Sequence, residues 1–457
     1  GNSYSTWQKR GSLPVTSPFN FTKYQSMISD SEQFGFRFEI KKELGRGATG
    51  QVYLAFDTYA QREVALKVTN PNLFGSDEDG ARNRKMWLNE TRLVGKLRHP
   101  FIVQVFEAGS TGSHDYLVME FMPGGTLKQF ASHGKLLPID RLVDILYKVC
   151  NALDYANKMG VLHRDIKPAN VLLGADGNIK ISDFGAAYLV GSESTQVETV
   201  GTLHYMAPEQ FNKAAPTIQT DIYSTGVMAY QLLTGRYPFE ATSHEGLIYQ
   251  KLRGEILPIE QARADIPPSL RFAIHRAIHR DREMRYASWK AFCDDLSASM
   301  PDIPRPDEVL CDSTRFDFFR NLPFFSDFED TEIWETVGVT SLSEYLPGDC
   351  LVREGEKGSS MFIIASGNAS VTKGGVELGV MHAGEFFGEI AYIKEERQTR
   401  SATVTAATKM EVVEINGDAL HHASAELQAR FSKALLKLLV ARIEKSDNKL
   451  VTWQKAA

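Results

Sequence analysis

The sequence predicts an α+β chain of several domains, and three patterns carry that expectation. Strand-like runs come first: FEIKKEL from Phe38, then QVYLAFD and REVALKV. Helical periods follow, and short β-like runs crowd the last third. The length, 457 residues, corresponds to about three domains at roughly 150 residues each. Residues 1–33 are polar, carry Pro14 and Pro18, and read as a flexible arm. WLNETRLVGKL is helix-like. Leu142, Ile145, Leu146, Val149, Cys150 and Leu153 recur at spacings of three and four, which predicts an amphipathic helix over 140–156. Cys150 lies on that stripe, so core packing accounts for it. Further helices are expected near 221–234 and 268–279. Residues 299–315 hold Pro301, Pro304 and Pro306 and little apolar period, the pattern of a linker. Beyond them CLVRE, SMFIIA, ASVTK, VELGVM, SATVTA and MEVVEI predict a small antiparallel barrel or sandwich. Leu427, Phe431, Leu435, Leu438 and Leu439 mark a closing helix, expected to end near Ser446 and to leave 447–457 as a tail.

Charge and composition narrow the function classes. Lysine and arginine total 51 against 57 acidic residues, a net charge of −6. A strongly basic nucleic-acid binder is excluded on that balance, so no nucleic-acid partner is expected. No apolar run approaches the roughly 18 residues of a membrane span. The first dozen residues lack an apolar signal core. Cys150, Cys293, Cys311 and Cys350 are scattered without metal or disulfide spacing, which favours a reducing cytoplasm.

Chemistry-bearing motifs begin at Gly45, Gly47 and Gly50, which fit G-x-G-x-x-G. They lie between two strand-like runs, so the strand-to-helix context of a dinucleotide fold is missing. Lys67 ends the apolar run Val64-Ala65-Leu66. A lysine in such a strand is costly to bury unless it meets an anion, and a phosphate or Glu90 would serve. His163-Arg164-Asp165-Ile166-Lys167-Pro168-Ala169-Asn170, Asp183-Phe184-Gly185 and Ala207-Pro208-Glu209 follow in order.

With these motifs, residues 34–298 resemble a eukaryotic-type protein kinase domain in the style of bacterial serine/threonine kinases. The resemblance implies a bilobal kinase fold, with lobes at 34–121 and 122–298, working on ATP and Mg²⁺. Gly45, Gly47 and Gly50 would admit the phosphates, and Lys67, paired with Glu90, would hold them. Asn170 and Asp183 would bind Mg²⁺, and Asp165 would accept the proton of the substrate hydroxyl. Val52, Ala65 and Leu172 would sandwich adenine, with Met119 as gatekeeper and Glu120 to Met122 as hinge. Lys167 and Thr202 imply a serine or threonine acceptor on a protein. Asp221 resembles the helix aspartate that holds the catalytic loop, and Arg285 the partner of Glu209. Arg164 implies an activation loop ordered by phosphate, with Ser192, Ser194, Thr195 and Thr199 as candidates for self-phosphorylation. Glu198 stands where related kinases carry a phosphothreonine, so basal activity without phosphate is expected. Lys9-Arg10-Gly11-Ser12-Leu13 resembles a basic-directed phosphosite, but Thr126 and Ala169 replace its acidic readers, which leaves a solvated charge pair.

The last third carries a second set. Gly384-Glu385-Phe386-Phe387-Gly388-Glu389-Ile390-Ala391 makes a glycine turn suited to an anion, and Thr399-Arg400-Ser401-Ala402 supplies an arginine fork. Residues 316–446 resemble a cyclic-nucleotide-binding domain, a small β-barrel of jelly-roll type. Glu389 would meet the ribose 2′-hydroxyl and Arg400 the cyclic phosphate, with Gly388, the Ala391 backbone and Ser401 completing the site. The eleven positions from Glu389 to Arg400 are slightly long, and the charged run KEERQT absorbs the excess. Ser401 fits cyclic AMP, the favoured effector, and also cyclic GMP. Too few residues follow the closing helix for a helix-turn-helix. The expectation is a serine/threonine kinase governed by a cyclic nucleotide. A nucleotide-gated inactive scaffold and a constitutive kinase with a localising sensor remain the alternatives.

Overall fold

β-Branched and aromatic residues recur in FEI, QVYLAFD and REVALKV, and these runs pair with one another. β1 (Phe38–Gly47), β2 (Gly50–Asp57) and β3 (Arg62–Thr69) run antiparallel. The computed structural model describes residues 37–47, 50–69, 78–111, 114–184, 202–212, 214–303, 311–389 and 399–456. It divides into two units, residues 1–95 with 104–122, and residues 96–103 with 123–457.

The first unit adds α1 (Glu78–Val94), β4 (Val105–Ser110) and β5 (Asp115–Glu120) to the three strands. Strand order is β1-β2-β3-β5-β4. Phe38, Ala55, Val64, Leu66 and Val118 cluster on one face of this sheet.

The second unit begins with α2 (Ile139–Lys158), and the apolar stripe read from the sequence is its buried side. Leu142, Leu146, Val149 and Cys150 have no exposed surface. β6 (Val171–Leu173) and β7 (Ile179–Ile181) form a hairpin after it. α3 (Ile218–Thr234) is buried along its length, and α4 (His244–Arg253), α5 (Pro268–Ala277) and α6 (Trp289–Ser299) follow. α7 (Asp312–Asn321) starts inside the stretch read as a linker. The prolines end at Pro306, and Asp312 in the first turn suits the helix dipole. α8 (Asp330–Val339) comes next.

Eight strands then form two four-stranded antiparallel sheets. They are β8 (Thr340–Tyr345), β9 (Cys350–Val352), β10 (Met361–Ser366), β11 (Asn368–Lys373), β12 (Val376–His382), β13 (Phe386–Phe387), β14 (Thr403–Ala406) and β15 (Met410–Ile415). The orders β13-β10-β15-β8 and β12-β11-β14-β9 are of jelly-roll kind, and the described residues leave the two sheets unclosed. Phe362, Ile364, Phe387, Met410 and Val412 of one sheet pack on Val352, Ala369, Met381, Val404 and Ala406 of the other. α9 runs Ala425–Ala456, ten residues past the expected end at Ser446. No proline or glycine interrupts DNKLVTWQKA, so nothing in its composition stops the helix. Among the described residues no helix is long and apolar enough to cross a membrane.

One buried histidine makes stability depend on pH. His99 packs against Phe101 and Tyr155 with ring centroids 5.5 and 5.1 Å away, and its Nδ1 accepts the Phe101 N–H at 3.2 Å. Burial, with Lys180 adding to it, pushes His99 down to about 3. The unfolded chain therefore takes up a proton below about pH 6.5 that the folded chain refuses. The contribution of His99 to stability is full above that pH and falls below it by up to ~1.4 kcal/mol per pH unit. Urea melts between pH 5 and 7 should show this slope, and His99→Phe should reduce it, leaving the part due to His204 and His275, which burial also pushes down.

Candidate functional site

Among the described residues three non-glycines hold left-handed backbone: Gln61 in the β2–β3 turn at φ +52°, and, within the chemistry-bearing motifs, Arg164 at φ +68° and Asp183 at φ +62°. Such conformations cost roughly 1–3 kcal/mol each and persist where surroundings over-determine them. Here they are over-determined. The backbone N–H groups of His163 and Arg164 donate to Asp221 Oδ2 at 2.8 Å and Oδ1 at 2.7 Å. Burial pushes the Asp221 carboxyl up, and the His163 and Arg164 interactions pull against it. His163 Nε2 meets the Ser182 carbonyl at 2.8 Å, so that nitrogen carries the proton. Its Nδ1 accepts the Asp165 N–H at 3.3 Å.

These anchors fix Asp165. Its Oδ2 accepts from Lys167 Nζ at 2.7 Å and from Asn170 Nδ2 at 3.1 Å. Lys167 Nζ also donates to Thr202 Oγ1 at 3.2 Å. Asp165 Oδ1 is buried and has no hydrogen-bond partner among the described residues. Asn170 is tied toward Asp183 through Ser182, whose N–H donates to the Asn170 carbonyl at 2.9 Å and whose Oγ lies 3.4 Å from Asp183 Oδ2. Five of the expected residues thus gather in one place: Asp165, Lys167, Asn170, Asp183 and Thr202. Leu172 lies on β6, opposite Lys180. Below them Arg285 grips Glu209 with two bonds of 2.9 Å. Burial works to raise the Glu209 carboxyl, and the Arg285 guanidinium outweighs it.

In the first unit, strand register collects a second group. Val52 stands opposite Lys67, and Ala65 opposite Met119. Direct partners share a face, as do Ala65 and Lys67 two apart, so Val52, Lys67, Ala65 and Met119 line one side of the sheet. Glu120 ends β5, its N–H donating to the Gln104 carbonyl at 2.9 Å, and Met122 follows it. β1 and β2 close through Gly47 and Gly50. A Cβ at Gly45 or Gly47 would meet no atom within 4 Å, whereas one at Gly50 would strike the Val68 carbonyl. The hairpin backbone is therefore open to close approach at its first two glycines. Glu90 belongs to α1, and its side chain lies outside the described residues, as do Gly185, Ser192, Ser194, Thr195, Glu198, Thr199 and the 1–33 arm.

A third cradle lies between the two sheets' loops. The Arg400 N–H donates to the Glu356 carbonyl at 2.7 Å, and the Gly355 N–H donates to the Arg400 carbonyl at 2.9 Å. The half-buried guanidinium gives one bond to the Ser360 carbonyl at 2.9 Å and lies 5.5 Å from the Phe362 ring centroid. A Cβ on Gly388 (φ +81°) would fall 2.8 Å from Arg400 Nη1, so only glycine leaves the fork its place. Glu389 follows directly and is partly buried, and Ser401 is exposed beside Arg400. Ala391 and all of KEERQT before Thr399 lie outside the described residues.

The family profile of the protein kinase domain matches residues 38–296, more than half of the chain. The chain belongs to the protein kinase family. The profile of the cyclic nucleotide-binding domain matches residues 342–426. The kinase is 34% identical over 287 residues to the probable serine/threonine-protein kinase PknB of Lactococcus lactis subsp. lactis, covering 62% of this chain and 45% of that one. It is 34% identical over 285 residues to a probable serine/threonine-protein kinase of Streptomyces coelicolor, covering 61% and 42%. To the serine/threonine-protein kinase PknL of Mycobacterium tuberculosis it is 33% identical over 273 residues, covering 59% and 67%. The kinase thus spans less than half the length of the first two of these relatives.

The kinase residues fit the groups the family implies. Open glycine backbone and an apolar face around Lys67 suit a nucleotide triphosphate. One carboxylate and one amide oxygen suit Mg²⁺, which keeps phosphate and water ligands. The cradle of Arg400 and Gly388 suits a cyclic phosphate.

Sequence reading missed one further group of residues. Lys148 of α2 is buried between Asp144 at 2.9 Å and Asp312 of α7 at 2.7 Å. The Ser313 N–H donates to Asp144 at 2.9 Å, and the Tyr147 hydroxyl to Asp317 at 2.6 Å. Trp334 of α8 stacks on Phe316 at 4.3 Å, meets Phe101 edge-on at 4.8 Å, and donates Nε1–H to Asn151 at 3.3 Å. On its other side α8 receives α9. Glu335 accepts from the Ser424 N–H and hydroxyl at 2.6 Å, and Glu332 pairs with Arg430 at 3.0 Å. The hydrogen bonds between these helices join residues 89 to 183 apart, which leaves no local pattern to read.

Proposed function

We propose that this chain transfers the γ-phosphoryl group of ATP to serine and threonine hydroxyls of proteins in the cytoplasm, under control of a cyclic nucleotide. The observation that carries the transfer is the buried Asp165 Oδ1, without a partner beside Lys167 and Thr202. That oxygen is available to a hydroxyl proton, while Oδ2 is held by two donors that fix the rotamer. Lys167, held by Asp165 and Thr202, offsets charge on the transferred group. Lys67, supported by Glu90, holds the α- and β-phosphates against the open backbone of Gly45, Gly47 and Gly50. Val52, Ala65 and Met119 are the proposed adenine contacts of the first unit, with the Glu120 to Met122 backbone at its edge, and Leu172 is the proposed adenine contact of the second. Asn170 and Asp183 would hold Mg²⁺, which would supply charge neutralisation on the phosphates. Ser194, Thr195 and Thr199 are proposed acceptors of self-phosphorylation. The proposed divisions are an arm at 1–33, kinase lobes at 34–121 and 122–298, a connector at 299–315, a sensor at 316–446, and 447–457 beyond it.

For the sensor, Gly388, Glu389, Ala391, Arg400 and Ser401 bind cyclic AMP in preference to cyclic GMP. What supports coupling is α8, clasped to α9 on one side and wedged by Trp334 against the kinase on the other. Nucleotide that favours one setting of α9 biases the setting of α8, and only a difference in affinity between the settings drives it. Phosphate transfer from ATP to serine and threonine peptides, absent in Asp183→Asn, separates this reading from an inactive scaffold. In a thermal-shift panel of the full chain, cyclic AMP should raise the melting temperature. Arg400→Gln, which loses the charge-assisted fork, should weaken that binding by roughly a hundredfold, about 2.7 kcal/mol.

A further inference from the structure

Three consecutive carbonyls after Thr202 are held by side chains of two helices. Lys251 Nζ of α4 donates to the His204 carbonyl at 2.6 Å and to the Met206 carbonyl at 2.9 Å. Ser224 Oγ of α3 donates to the carbonyl between them, that of Tyr205, at 2.8 Å. The Tyr205 hydroxyl reaches back to Gln231 of α3 at 2.5 Å. His204 stacks on Tyr237 with centroids 3.8 Å apart.

Lys251 is an unusual choice for that place. Its side chain is 1% exposed, under the Tyr223 and Phe239 rings at 5.0 and 5.8 Å, with the Tyr223 hydroxyl 3.4 Å away. Burial, with the Arg285 charge adding to it, pushes the ammonium down to about 7. Arg285 is itself neutralised by Glu209. Taking an ammonium out of water costs several kcal/mol, and an apolar side chain would pack there at no such cost. What a lysine alone adds is a donor that spans two carbonyls of one segment.

We propose that Lys251 is a positioning residue for the protein acceptor. Holding His204 and Met206, it sets the segment that begins at Thr202, and Thr202 shares Lys167 with Asp165. The acceptor chain is laid along this segment when its hydroxyl meets Asp165, so a loosened segment presents the hydroxyl less often in register. The inference rests on the kinase reading and adds to it a residue on α4 that touches neither ATP nor the reacting atoms.

The test uses the full chain with Lys251→Met, which keeps length and removes the charge. With a serine peptide, the peptide KM should rise about tenfold, while the ATP KM stays within about twofold. Hydrogen exchange should show faster exchange confined to 202–207. Ser224→Ala, which frees only the middle carbonyl, should move both readouts the same way by a smaller factor. Lys251→Gln, able to serve one carbonyl, should fall between, and it replaces the Met variant if that one does not fold. An unchanged peptide KM in a folded variant overturns the inference, and so does equal loss in kcat for every peptide with KM fixed. If the parent transfers no phosphate the kinase reading falls, and unchanged exchange at 202–207 would then still overturn the anchoring.

Discussion

Asp165→Asn lowers transfer of phosphate to a peptide hydroxyl by roughly 10²–10⁴-fold, the range associated with a positioned general base. The substitution keeps the shape of the side chain and replaces the acceptor-only carboxylate with an amide. Asp165 Oδ2 is engaged by Lys167 and Asn170, so the loss falls on Oδ1, the oxygen left for the acceptor. The proposed ATP contacts, Lys67 and the hairpin glycines, are separate from Asp165, so the ATP KM should move by no more than about twofold. The fold should survive, because Asp221 and His163 hold the loop through backbone groups. Steady-state rates with saturating peptide check it. A variant retaining a tenth or more of the parent rate would remove Asp165 from the role assigned to it.

Trp334→Ala is the second large effect. The indole is 4% exposed and touches Phe316, Phe101, Tyr147 and Asn151 at once. Removing a buried tryptophan costs roughly 3–5 kcal/mol through lost burial and the cavity left behind. Two consequences should be measured together. Urea unfolding of the full chain shifts by that amount, and the response of phosphate transfer to cyclic nucleotide shrinks. The second follows because Phe101 lies in the 96–103 segment, which leads out of α1, the helix carrying Glu90. Trp334→Phe keeps most of the volume and loses the Asn151 bond, so its stability cost should be nearer ~1 kcal/mol. Unchanged nucleotide response in a folded Trp334→Ala chain would move the coupling elsewhere.

What was legible in the sequence was local. The apolar stripe of α2, the first three strands and MEVVEI carry their periods within a few residues, and each appears where its pattern lies. Asp165, Lys167 and Asn170 sit within six positions of one another, so a motif reveals them. Thr202 joins them from 35 residues away, and family resemblance found it where spacing alone did not. β4 and β5 carry little signal in the sequence, because VFEAGS and DYLVME are short and mix polar with apolar residues. The buried Lys148 and Asp144 meet the half-exposed Asp312 in a charge cluster that no sequence window contains, since α7 returns to α2 from 164 residues on. Lys251 reads as a surface lysine of an ordinary amphipathic helix until the His204 and Met206 carbonyls are seen against it. The end of α9 differs from expectation for another reason: the apolar period weakens after Leu439, while helix propensity does not.

The most direct measurement is a titration of peptide phosphorylation by the full chain with cyclic AMP and cyclic GMP, run beside thermal shifts at the same concentrations. The expected result is a saturable change in rate that tracks binding, comes at lower cyclic AMP than cyclic GMP, and disappears in Arg400→Gln. A rate that stays constant while the thermal shift saturates would contradict control of this kinase by its own nucleotide domain.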